Sequence, residues 1–146
     1  MSFTQTFAQL TDEAVLTMLQ AAVTRAKEMN QPQCIVIVDQ SGVELGVVRM
    51  TGSRFLSLKS AGAKAKTAAS IGAPSNSLPE HAKLPLAAAS QGSVTGLRGG
   101  LPIRVNGMLL GGIGVGSGSG EQDEMVAASA LEAIGADRSF LTTPTR

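Results

Sequence analysis

The stretch Gly99-Gly100-Leu101-Pro102-Ile103-Arg104-Val105-Asn106-Gly107-Met108-Leu109-Leu110-Gly111-Gly112-Ile113-Gly114-Val115-Gly116-Ser117-Gly118-Ser119-Gly120-Glu121-Gln122-Asp123-Glu124 decides the reading of this chain. Asn106-Gly107 stands between two apolar runs. That pair predicts a type I′ turn, because both central positions need φ > 0, and so an antiparallel hairpin. The second run alternates glycine with Ile113 and Val115. Glycine at this density weakens a strand, so either another backbone approaches it closely or the loop takes special dihedrals. The run leaves through a glycine-serine loop into Glu121-Gln122-Asp123, the acidic opening of a helix.

Working outward, Thr11 reads as the cap of a first helix, with Asp12 and Glu13 in its first turn. Val15, Met18, Leu19, Ala22, Val23, Ala26 and Met29 recur at helical steps, and Asn30 and Pro32 end the pattern. Cys34 to Val38 is a near-continuous β-branched run, predicting a strand covered on both faces. Asp39-Gln40-Ser41-Gly42 turns it into a second strand, Val43 to Met50. Ser53 reads as the cap of a helix from about Arg54 to Ser70, whose Ala and Gly face suits close packing. Pro74, Pro79 and Pro85 interrupt residues 71–98. Within them, Leu84–Ala89 reads as a helical turn and Gln91–Thr95 as a short strand, inside a functional or interface loop. A last helix runs from about Gly120 to Gly135, followed by a loose tail from Asp137. Hairpins of this kind predict an antiparallel sheet, with the N- and C-terminal helices on one face. The length suits one domain, residues 1–146.

Composition narrows the function. The chain has four Phe and no Tyr or Trp, which removes the aromatic platforms of single-stranded nucleic-acid binders. A net charge of +1 provides no basic field for a duplex or an anionic membrane. Cys34 is the single cysteine, so an internal disulfide and a multi-cysteine metal site are excluded, and its apolar context predicts a buried thiol. The first residues lack a basic and apolar leader pattern, and no run is long enough to span a bilayer; the expectation is a cytoplasmic protein.

The glycine loop does not read as a nucleotide cradle. No Gly-Lys-Ser/Thr closes it, the Gly112, Gly114, Gly116 spacing is not the dinucleotide fingerprint, and Glu121, Asp123 and Glu124 oppose a phosphate. Asp123 and Glu124 either cap the helix or orient a ligand or neighbouring subunit. Asp39 either shapes its turn or faces a ligand. Arg49 suits a ligand carboxylate or a structural acid equally. Lys64 lies in a small-residue helix, where it either joins a solvated face or stands over a pocket as an anion ligand or base. His81, the one histidine, reads as an exposed loop residue; as a haem ligand it would need an apolar pocket.

In order and spacing, several pieces together resemble the GlcG/HbpS family, which includes haem-binding members and the C-terminal domain of PduO-type proteins. They are Val36-Ile37-Val38-Asp39-Gln40-Ser41-Gly42, Arg49-Met50-Thr51-Gly52, Lys64-Ala65-Lys66-Thr67-Ala68, Gly99 to Ile103, and Gly111 to Val115 with Glu121 to Glu124. The resemblance implies a profilin-like three-layer α/β/α fold around a five-stranded antiparallel sheet, with the fifth strand near Gln91–Thr95. It also implies homo-oligomers, tetramers or octamers, and a ligand that is a small organic acid or a tetrapyrrole such as haem. Three departures fall in the ligand loops: Asp39-Gln40-Ser41-Gly42 for Asp-x-Gly-Gly, Arg49-Met50-Thr51-Gly52 for Arg-Met-Asp-Gly, and Gly114-Val115-Gly116-Ser117 for Gly-Val-Ser-Gly.

The expected ligand-binding residues are therefore Asp39, Arg49, Lys64, Gly99 and Gly100, with Ser117, Asp123 and Glu124 on the far side of the hairpin. No metal site is expected. Three functions follow: a ligand-binding oligomer, a cofactor-independent proton-transfer isomerase or lyase of small-acid catabolism using Lys64 or Asp123, or a structural oligomer without ligand.

Overall fold

A computed structural model describes residues 1–141; the end of the expected loose tail, 142–146, lies outside them. The elements are α1 (Asp12–Glu28), β1 (Cys34–Asp39), β2 (Glu44–Arg49), α2 (Leu56–Ile71), a 3-10 turn (Ser75–Ser77), α3 (Glu80–Ala89), β3 (Gly100–Val105), β4 (Met108–Gly116) and α4 (Gly120–Ala133). The four strands pair antiparallel throughout, in the order β2-β1-β4-β3. Asn106 and Gly107 have φ of 53° and 78°, as the type I′ reading requires. Pro102 is tolerated because β3 is an edge strand.

Strand alternation divides the core. Ile35, Ile37, Leu101, Ile103, Ile113 and Val115 face α1 and α4, meeting Met18, Ala22, Val126 and Leu131. Cys34, Val36 and Val38 face the other way, against Ala61, Ala65 and Ala69 of α2. β1 is thus covered on both faces and the Cys34 thiol is buried, both as expected. The terminal helices share a face, also as expected.

Close approach is what the glycine alternation provides. A Cβ on Gly114 would collide with Ala61 O and stand 2.6 Å from Ala65 N; one on Gly112 would collide with Ala65 O and stand 2.9 Å from Ala69 N. Where Gly112 and Gly114 carry no side chain, the backbone of α2 rests directly on the strand. The alanine stripe of α2 completes the fit. Each layer needs the other's small residues.

Three expectations are corrected. The sheet has four strands, not five, because Gln91–Thr95 forms a loop. Gln91 and Gly92 have φ of 54° and 83°, Val94 N–H donates to Ser90 Oγ, and Thr95 N–H donates to Thr67 Oγ1 of α2. Its backbone groups are spent on helices, so no ladder forms. Ser53 does not cap α2. Its hydroxyl donates to Met50 O at 2.6 Å within a turn, and the helix starts at Leu56 without a side-chain cap. α3 starts at Glu80, earlier than the predicted turn, because Pro79 provides an extended lead-in (ψ 140°) and Pro85 costs the helix only one N–H. Among the described residues no helix is long and apolar enough to cross a membrane.

Candidate functional site

The end of the sheet where β1 begins and β4 finishes carries a cluster of buried polar groups. Lys64, on α2, is 4 % exposed, and Asp123, on α4, is 2 % exposed. Lys64 Nζ lies 2.9 Å from Asp123 Oδ2 and donates to Val115 O at 2.8 Å. Asp123 Oδ1 accepts from Gly118 N–H at 3.0 Å. Desolvating two charges is costly, and what offsets it here is the pairing plus a backbone partner for each. The first turn of α4 adds its positive dipole end beneath the carboxylate.

Glycine makes the meeting possible. α2 and α4 lie on opposite faces of the sheet, so their side chains can touch only past its end. Gly99 leaves that gap open: a Cβ there would stand 2.8 Å from Asp123 Cβ and 3.0 Å from Lys64 Nζ, and its φ is +125°. Gly100 permits the second approach. Its Cβ would stand 2.7 Å from Lys64 C and 2.8 Å from Ser75 Oγ. Ser75 accepts from Gly100 N–H at 2.9 Å and donates to Leu97 O, tying the loop before β3 to the 3-10 turn.

On the outer side lies an open cleft of about 250 Å³ lined by Arg54, Ser57, Ser60, Lys64, Leu97, Arg98, Ser117, Gly118, Gly120 and Asp123. Ser119 caps α4 through a capping box with Gln122, which sets the angle of its first turn at the rim. Ser117 has φ of 104°, a conformation that disfavours side chains, and its Oγ accepts from Arg54 N–H at 3.0 Å. Arg98 pairs with Glu124 at 2.9 Å. The hydrogen bond to Glu124 raises the Arg98 pKa from its ordinary value, against the lowering effect of partial burial. Gln33 is fully buried; its Oε1 accepts from Gly118 N–H, while its Nε2 has no partner among the described residues.

Of the residues singled out by sequence, Lys64, Gly99, Gly100, Ser117 and Asp123 come together here, and Glu124 joins through Arg98. Lys64 is thus not on a solvated face. Asp39 and Arg49 do not join. Asp39 pairs with Gly111, roughly 16 Å down the strand from the cluster, and accepts from Ser41 and Val43 N–H as a turn residue. Arg49 lies exposed on the outer strand β2, opposite Cys34, and makes no ion pair among the described residues. His81 is exposed on α3. Arg54, Ser57, Ser60, Arg98 and Ser75 escaped the sequence reading. Arg54, Ser57, Ser60 and Lys64 follow steps of three, three and four, a polar stripe on an alanine-rich helix that would have marked them.

An antiparallel sheet between helix layers, with a buried ion pair at one end, defines the structural class. The chain belongs to the HbpS-like family, described as haem degrading protein HbpS-like, whose model matches residues 10–132. It is 37 % identical over 119 residues to the corrinoid adenosyltransferase PduO of Citrobacter freundii, covering 78 % of this chain but only 36 % of that protein. The chain thus spans about a third of the length of its PduO relatives. It is 31 % identical over 137 residues to an uncharacterized 15.0 kDa protein from the dhaT-dhaS intergenic region of the same organism, covering 90 % of this chain and 96 % of that one. Among solved structures, the PduOC:heme complex matches with a TM-score of 0.83 at 30 % identity, covering 89 % of this chain and 98 % of that one. The Klebsiella pneumoniae protein ORFY matches at 0.87 and 28 %, covering 94 % and 99 %.

Proposed function

We propose that this chain is a small-ligand-binding protein that holds a small organic acid in the cleft over Lys64 and Asp123, acting as a single domain in a tetramer or octamer. One observation carries the reading. The buried Lys64 ammonium has three N–H donors, and only two find partners among the described residues. The third is left at a cleft that Gly99 keeps clear. Self-association is supported by apolar side chains left exposed, Phe55 at 79 %, Leu56 at 73 % and Leu84 at 78 %. A thermal-shift screen of small carboxylic acids tests the binding, with light scattering for the assembly. A rise in Tm that saturates with acid concentration is expected, and no shift with any acid overturns the reading.

The cleft does not fit haem. Its volume is below that of pockets that enclose drug-sized ligands, its walls are polar, and no His, Cys, Met or Tyr side chain lines it to serve as an axial ligand. A second reading, favoured by the likeness to the PduOC:heme complex, puts haem on the surface of α3, where His81 stands on the same helix as the exposed Leu84. Haem titration of the intact protein and of His81→Ala tests it; an unchanged Soret band in the intact protein removes it. The proton-transfer enzyme is the weaker alternative, because Lys64 and Asp123 are committed to each other and to backbone groups.

A further inference from the structure

We infer that the cleft selects a compact monoanion, a short-chain monocarboxylate, and that Arg54 provides the charge that holds it. The inference rests on the binding reading above and concerns how the same cleft chooses among anions.

The charges around the cleft pair off unequally. Lys64 is matched by Asp123 at 2.9 Å, both buried. Arg98 is matched by Glu124, also at 2.9 Å. Glu121, exposed on the first turn of α4, does not line the cleft and is the weakest of the influences on Arg98. Arg54 is left over: it lines the cleft and has no ion-pair partner among the described residues. Its main chain is nevertheless anchored on both sides, by N–H to Ser117 Oγ at 3.0 Å and by its carbonyl, which accepts from the Cys34 thiol at 3.4 Å. The side chain therefore leaves a fixed main chain at the cleft that Lys64 also lines.

Neutral donors agree with this count. Ser60 Oγ donates to Ser57 O, whereas the Ser57 hydroxyl has no partner and the Ser117 hydroxyl, which accepts from Arg54 N–H, has no acceptor for its own proton among the described residues. A carboxylate has two oxygens to offer to Arg54, Lys64 and Ser57, and a guanidinium can receive it bidentately. A second negative charge on the ligand would find no unpaired cation. It would sit close to the Asp123 carboxylate, and like charges at short range repel. Leu97 is the one large apolar wall, which allows a short alkyl group and little more.

The test is acetate, malonate and sulfate titrated separately into the intact protein, followed by the backbone amide signals of Gly118 and Gly120, with Arg54→Gln beside it. Acetate is expected to shift both signals saturably. Malonate and sulfate should bind roughly tenfold more weakly, and Arg54→Gln should weaken acetate by roughly tenfold or more. Arg54→Lys should restore part of the loss, because charge returns without the fork. Tighter binding of either dianion, or acetate binding indifferent to Arg54→Gln, overturns the inference while leaving a small-acid site standing. Failure of every anion to move these signals overturns it together with the binding reading.

Discussion

The Lys64 ammonium, carried by a helix on one face of the sheet, meets the Asp123 carboxylate, carried by a helix on the other, at 2.9 Å and across 59 residues of sequence. The pair ties the two helical layers together at the end of the strands. It also leaves one of the three lysine donors without a partner among the described residues.

Breaking this pair from one side should be worse than removing it whole. Lys64→Met strands a buried carboxylate and is expected to cost about 3–5 kcal/mol. In Lys64→Met/Asp123→Leu no buried charge remains, and Gly118 N–H keeps Gln33 Oε1 as its acceptor. Urea denaturation at neutral pH should show the double variant recovering most of the loss. Equal stability of the single and double variants would show that the pair is not coupled.

Two glycine-to-alanine changes should move stability in opposite directions. Gly114→Ala drives a methyl group into the backbone of α2 at Ala61 and Ala65, which cannot yield without lifting the helix. A loss of about 3 kcal/mol or more is expected. Gly62→Ala, inside α2 with nothing within 4 Å of the new atom, should gain about 1 kcal/mol from helix propensity. Calorimetric Tm values compare the two, and a loss at Gly62 would contradict the open space seen there.

Loss of the α4 cap should be modest and local. Ser119→Ala removes the acceptor of Gln122 N–H at 3.1 Å and is expected to cost about 1 kcal/mol. Hydrogen exchange should quicken in the first turn of α4 and not in β1. Faster exchange throughout the sheet would mean that the cap supports more than its helix.

Asp137 offers a pH test. Hydrogen bonds from Ser139 N–H at 3.0 Å and Ser139 Oγ at 3.1 Å hold its exposed carboxyl below the usual range. A lowered folded pKa means that ionised Asp137 favours the folded state above its ordinary pKa. That contribution disappears as pH falls through the lowered value. In Ser139→Ala the Asp137 carboxyl carbon signal should titrate higher than in the intact protein, yet still low, because the backbone N–H remains. An unmoved midpoint would assign the whole effect to the backbone.

Much of this molecule is written in local sequence. Thr11 and the periodic residues after it specify α1, the β-branched run from Cys34 specifies a doubly covered strand, and Asn106-Gly107 specifies the hairpin, because caps, periodicity and turns act over a few residues. The alternating glycines leave two readings open, a close approach to β4 or special dihedrals in the loop. The structure decides for the close approach: the partner is the backbone of α2, and two surfaces of small residues become recognisable as a fit only when brought together. The loop at Gln91–Thr95 is not legible in local sequence, because its hydrogen bonds go to Ser90 and Thr67, one of them far away along the chain. The site divides along the same line. Sequence alone marked Lys64 and Asp123 as charges worth attention, along with Asp39 and Arg49, which resemble them equally well in one dimension. Tertiary structure decided which of these share a place, because burial and charge pairing depend on distances through space. It brought Lys64 and Asp123 together through the gap at Gly99, left Asp39 at the other end of β1, and set Arg49 at the same end but exposed on the outer strand β2, outside the cleft.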